Sequence, residues 1–139
     1  MTEATTAGAT PISALVADTV EWIAPEANLL EVARALTDAE VGLLVVGQEG
    51  GPVLGVVSER DVVRALAAGR DPAVTSVSDV AHTRLAWSDA TATVAEVAAE
   101  MMDEYVRHVL VEEDGRLVGV VSGRDLLGAY AAAEMFDDQ

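Results

Sequence analysis

This chain contains one unit written twice, and that duplication limits what it can fold into more than any other feature. Displaced by 65 residues, Trp22 falls on Trp87, Glu31-Val32-Ala33 on Glu96-Val97-Ala98, Val41 on Val106, and Ile12-Ser13 on Val77-Ser78. Past the turn at residues 47–51 the displacement becomes 64, and GVVSERDVV at residues 55–63 lies over GVVSGRDLL at 119–127. A one-residue slip confined to a glycine-rich turn is what two copies of a unit show. The copies run from about residue 12 to 66 and from 77 to 130, joined by Ala67-Ala68-Gly69-Arg70-Asp71-Pro72. The organisation expected is a flexible tail over residues 1–10, a first unit with its linker over 11–70, and a second unit with a C-terminal helix over 71–139.

Each copy carries the same local signals. A short extended segment (residues 20–23; 85–87) precedes a helix start, marked by Asn28 with Glu31 and by Thr93 with Glu96, the residue pairs of a capping box. The helices that follow place Leu29, Val32, Ala33 and Leu36, and Val94, Val97, Ala98 and Met101, at the spacing of one buried face. Two β-rich runs around a tight turn come next, 43–46 with 53–57 and 109–111 with 117–121, and read as hairpins. A second helix starts after Ser58 and after Ser122; Gly69 and Pro72 end the first of these, and the other runs on through LLGAYAAAEMF. The unit is β-α-β-β-α, its first two strands parallel through a helical crossover and its last two antiparallel. A unit of about 55 residues is marginal alone. The expected fold is therefore α/β of the α+β type: two tandem units about a pseudo-twofold axis, sheets packed together into a shared core, helices outside.

Composition narrows the function. Hydrophobic residues make up 51% of 139, enough for a packed core, and cysteine is absent, which excludes disulfides, thiolate metal sites and cysteine nucleophiles. The 24 acidic residues outnumber the 8 basic ones, all arginine, for a formal net charge of −16. So anionic a surface repels nucleic acid and anionic lipid, although a nucleotide remains compatible where arginines and backbone amides converge. The N-terminus lacks a basic region and a long apolar stretch, and no run approaches the length of a membrane helix, so a cytoplasmic protein is expected. GxxxxGK[ST], HExxH and GxSxG are absent, and the two histidines stand 26 residues apart. An enzyme is not indicated, nor is a metal site.

Tandem β-α-β-β-α units, each closing with Gly-Val-Val-Ser-x-Arg-Asp, resemble the CBS-domain family over residues 12 to about 130. RHVLVEEDGRLVGVVSGRDLL (107–127) is similar to the family's second half, and GLLVVGQEGGPVLGVVSERDVV (42–63) matches it with a looser turn. The resemblance implies a regulatory module that requires no cofactor. It would bind an adenosine-containing ligand (AMP, ADP, ATP, NAD or S-adenosylmethionine) in clefts between the copies. It would also form a homodimer and modulate an effector protein in trans. By the same resemblance, the hydroxyls of Ser58 and Ser122 would meet phosphate and the carboxylates of Asp61 and Asp125 the ribose hydroxyls. Val41, Gly42 and Leu43, and Val106, Arg107 and His108, would frame the base.

Every one of these positions also has a purely structural reading. Serine with aspartate three residues on is a helix start whether or not a ligand lies there. A helix N-terminus aimed at a hollow is equally an anion site, so the two readings coexist. Arg60 and Arg124 lie in the first turn of a helix, where a cation opposes the dipole unless it faces an anion; phosphate contact is favoured over a salt bridge to an acid such as Glu59. Arg107 and His108 would make the second site the more basic, suited to the more phosphorylated ligand, or would simply be a solvated strand edge. Trp22 and Trp87 read as core, His82 as ordinary surface, and Met101, Met102, Tyr105, Met135 and Phe136 as a homodimer face. The rival of the ligand-binding reading is a ligand-free dimerising scaffold, favoured by Gly42, which offers no side chain to the first site, and by the negative field.

Overall fold

The computed structural model describes residues 7–16 and 20–137, with side chains described over 8–16 and 20–132. The expected tail at 1–10 therefore lies mostly outside the described residues, as do the side chains of Met135 and Phe136. The chain divides into two compact units: Val20–Leu85 form one, and the described residues up to Val16 together with those from Ala86 onward form the other. These units cut the chain elsewhere than the sequence repeats do. Among the described residues, no helix is long and apolar enough to cross a membrane.

The Val20–Leu85 unit is built on a three-stranded sheet of β1 (Trp22–Ile23), β2 (Leu43–Gly47) and β3 (Val53–Ser58), with helices α1 (Leu29–Ala39) and α2 (Glu59–Ala67). β1 pairs parallel with β2, Trp22 opposite Val45; β2 pairs antiparallel with β3, Leu43 opposite Ser58. Helix α1 starts where its sequence says it should. Asn28 Oδ1 accepts the Glu31 N–H and Glu31 Oε1 accepts the Asn28 N–H, both at 2.9 Å. It ends at Glu40, held left-handed at φ 55°. Leu29, Val32 and Leu36 face Leu44, Val46, Val57, Val62 and Val77 in one buried cluster.

The other unit repeats the plan with β4 (Trp87–Asp89), α3 (Val94–Glu104), β5 (His108–Glu113), β6 (Arg116–Ser122) and α4 (Gly123–Asp137). Trp87 lies opposite Leu110 in the parallel pair, and His108 opposite Ser122 in the antiparallel one. Thr93 caps α3 reciprocally with Glu96, and Tyr105 ends it at φ 54°. Ile12, Val94, Val97, Met101, Val109, Val111, Val121 and Leu126 form its core. Among the described residues the structure is thus an α+β fold with two three-stranded sheets and four α-helices. Most of its buried apolar side chains fall into two clusters, one within each unit.

Each repeat lends its opening segment to the core of the other. Ile12, first residue of the first copy, is fully buried among residues of the second; its equivalent, Val77, is fully buried among residues of the first. The backbone follows the same exchange: Pro11 bridges to Thr93 as Ser76 bridges to Asn28. Val94 N–H donates to Thr10 O at 2.9 Å and Leu29 N–H to Thr75 O at 3.1 Å, so the borrowed segments satisfy amides at the starts of α3 and α1.

Three expectations need correction. Trp22 is half-buried against Gly47 and Trp87 is 38% exposed, and neither joins a core cluster, because β1 and β4 are edge strands of two and three residues. Met101 belongs to the core rather than to an outward face, while Met102 and Tyr105 are exposed. His82 is more than ordinary surface, as the site geometry makes plain.

Candidate functional site

In the Val20–Leu85 unit, Ser58 ends β3 and Asp61 sits in the first turn of α2. The Asp61 N–H donates to Ser58 Oγ at 3.3 Å; in return Asp61 Oδ2 accepts the Ser58 N–H at 2.7 Å and the Ser58 hydroxyl at 2.9 Å. The capping reading of this pair therefore holds. It also does something a cap alone need not do: it holds the carboxylate still at a helix N-terminus, at 7% exposure.

The residues expected to frame a base are brought to the same place. Leu43 lies opposite Ser58 in the sheet, and the Glu59 N–H donates to Gly42 O at 3.0 Å, so the start of α2 is tied to the turn that enters β2. Val41 is positioned by its N–H to Leu36 O at 3.1 Å. Gly42 is exposed and packs beside Glu59, whose Oε1 would lie 3.1 Å from a Cβ there. Arg60 is exposed and makes no ion pair with a described residue, so the alternative of a bridge to Glu59 is not realised.

The other unit builds the same frame. Asp125 Oδ2 accepts the Ser122 N–H at 2.8 Å and the Asp125 N–H donates to Ser122 Oγ at 3.1 Å. His108 lies opposite Ser122, the Gly123 N–H donates to Arg107 O at 2.9 Å, and the Val106 N–H donates to Met101 O at 3.1 Å. Arg107 and Arg124 are both exposed. The two frames differ in charge. Where the first has Gly42 and Glu59, the second has Arg107 and Gly123. The acid beside the first helix start has no counterpart beside the second, which has a guanidinium where the first has Gly42, so the surroundings of the second are the more positive.

Sequence reasoning missed one residue. His82 follows the segment that the second copy lends to the first unit, and its backbone pairs with Val56 through N–H···O contacts of 2.8 and 3.0 Å. That strap crosses Gly55, where a Cβ would come within 2.8 Å of His82 O. It delivers His82 Nε2 to Asp61 Oδ1 at 2.6 Å, with the imidazole otherwise half exposed. A carboxylate only accepts, so the proton of this hydrogen bond sits on Nε2. The 65-residue displacement sets alanine, Ala17, where His82 stands in the other copy; that position lies outside the described residues.

Known proteins agree with this architecture. The CBS-domain family model matches residues 12–68 and again 77–132. The chain belongs to the CBS-domain family, as a tandem pair. A CBS-domain protein of Agrobacterium tumefaciens superimposes with a TM-score of 0.78 at 32% identity, over 87% of this chain and 93% of that one. A CBS-domain protein of Pyrobaculum aerophilum, solved in complex with AMP, does so with a TM-score of 0.73 at 31% identity, over 88% and 98%. Hypoxic response protein 1 of Mycobacterium tuberculosis is 29% identical over 108 residues, 77% of this chain and 76% of its own length.

Proposed function

We propose that this chain is a regulatory CBS pair that binds an adenosine-containing ligand at its Ser-x-x-Asp helix starts and modulates a partner protein in trans. The observation that carries this reading is the repetition of one frame. In each unit a carboxylate is fixed by a reciprocal serine cap, beside the turn into the middle strand and with an arginine in the same helical turn. Serine hydroxyl, arginine and helix amides suit a phosphate, and the carboxylate suits a pair of vicinal ribose hydroxyls. The AMP complex of the Pyrobaculum aerophilum relative supports the ligand class: AMP, ADP or ATP first, NAD or S-adenosylmethionine as further members. Regulation would follow from unequal ligand affinity for two arrangements of the pair. Exposed Met102 and Tyr105 would contribute to a homodimer, and the setting would be cytoplasmic.

A second reading, a ligand-free dimerising scaffold, is favoured by one specific observation: Asp61 already takes three hydrogen bonds from within the chain. A thermal-shift panel with AMP, ADP, ATP, NAD and S-adenosylmethionine separates the two. A ligand at ~100 times its dissociation constant adds ~2.7 kcal/mol of stability. Asp125→Ala should remove most of the shift and Asp61→Ala a smaller part, with both variants remaining folded. No shift with any of the five selects the scaffold, and ATP turnover abolished by both substitutions would select an enzyme instead.

A further inference from the structure

The two aspartates that the repeat makes equivalent are not in equivalent states. Asp61 Oδ2 takes two donors from Ser58 and its Oδ1 takes His82 Nε2 at 2.6 Å. Among the described residues, the Asp125 carboxylate takes one donor, the Ser122 N–H at 2.8 Å. A carboxylate offers about four lone-pair directions. Three of those on Asp61 are filled, including the one on the oxygen that its cap leaves open. One direction, on Oδ1, remains open, so a diol that gives Asp61 both its hydroxyls has to displace a donor already there, the His82 imidazole or the Ser58 hydroxyl, whereas at Asp125 no described donor stands in its way.

The segment carrying His82 gives it the means to hold that position. Its backbone is tied on both sides of the peptide to Val56, so the side chain is presented from an anchored strap rather than from a free loop. Gly55 admits the strap because it has no Cβ. In the 65-residue displacement His82 falls on Ala17 of the first copy, whose methyl cannot donate. The neighbouring charges run the same way, Glu59 beside the first site and Arg107 beside the second.

We propose that His82 is a specificity-determining residue that reserves the Asp61 site. It competes with a ligand's hydroxyl pair for the Asp61 carboxylate, so the chain takes an anionic nucleotide at Asp125 first. This rests on the adenosine-binding reading above and adds which of its two sites is open. Removing the imidazole converts the closed site into a second open one. A hydrogen bond to a charged group corresponds to roughly tenfold or more in affinity, and that is the gain expected at the Asp61 site.

Isothermal titration of the full chain with AMP, and separately with ATP, tests this on wild type, Asp125→Ala, His82→Ala and the double variant His82→Ala/Asp125→Ala. The expected results are one tight site per chain in wild type, loss of that site in Asp125→Ala, two sites in His82→Ala, and binding regained in the double variant. Regained binding is a gain that damage to folding cannot produce. His82→Gln, which keeps an N–H donor at about the reach of the imidazole Nε2, should restore less than His82→Ala. If Asp125→Ala loses binding and the double variant does not regain it, the role of His82 is overturned while the adenosine reading stands. If wild type binds neither AMP nor ATP, that reading falls and takes this one with it.

Discussion

The backbone N–H of Ile12 donates to the carbonyl of Ala92 at 2.7 Å, and the same bond recurs, one repeat on, from Val77 to Ala27 at 2.8 Å. Each copy of the unit is therefore completed by the opening residues of the other. Ile12 is buried against α3, β5 and β6, and Val77 against α1, β2 and β3, so the two sequence repeats are knitted by exchange rather than merely joined end to end.

The exchange makes a prediction about which residues a mutation affects. Ile12→Ala should destabilise the chain by about 2–5 kcal/mol, the range for truncating a fully buried aliphatic side chain. Hydrogen exchange should then quicken first at Val109, Val111 and Val121, and not at Leu44 and Val57, although the latter belong to the copy in which Ile12 is written. Protection lost first at Leu44 and Val57 would contradict the exchange.

Gly119 is held to glycine by the same borrowed segment, because a Cβ there would lie 2.5 Å from Val16 Cβ. Gly119→Ala should cost about 1–3 kcal/mol as overpacking. Adding Val16→Ala should recover part of it, so that chemical denaturation of the two single variants and the double shows clear non-additivity.

The serine caps should be worth measurable stability whether or not ligand is present. Ser58→Ala and Ser122→Ala are each expected to cost about 0.5–2 kcal/mol. Ser58→Ala should lie toward the upper end, because the Ser58 hydroxyl both accepts from Asp61 N–H and donates to Asp61 Oδ2, while the Ser122 hydroxyl only accepts from the Asp125 N–H.

Asp89 should shape the acid limb of stability. The Thr91 N–H at 2.8 Å and, second, the Thr91 hydroxyl at 2.7 Å hold its carboxyl below the usual carboxylate range. A depressed native pKa means the contribution is complete above the unfolded carboxylate's value and is lost as pH falls through the native one. NMR titration should find Asp89 ionising below its value in the Thr91→Val variant, and Asp89→Asn should flatten stability against pH in the acid range. An Asp89 value unchanged by Thr91→Val would contradict the hydroxyl's part.

Much of this was legible in the sequence because it is local. Asn28 with Glu31 and Thr93 with Glu96 mark helix starts by contacts three residues apart, and Leu29, Val32 and Leu36 mark the buried face by period alone. Ser58 with Asp61 and Ser122 with Asp125 are found for the same reason. The exchange of Ile12 and Val77 could not be read, since an apolar residue opening a repeat has the same pattern whichever core receives it. His82 was hidden for that reason too: its bond to Asp61 spans 21 residues and depends on the second copy's opening segment lying over Gly55. Trp22 and Trp87 misled because a large aromatic on a short edge strand is covered from one side only.

A phosphorylated adenosine compound seated at the Ser122-x-x-Asp125 helix start would be seen in amide NMR of the labelled protein titrated with AMP. Saturable shifts are expected, concentrated at Arg107, His108, Ser122, Gly123 and Arg124 and abolished by Asp125→Ala. Shifts scattered elsewhere with those five amides unmoved, or a titration indifferent to Asp125→Ala, would contradict it.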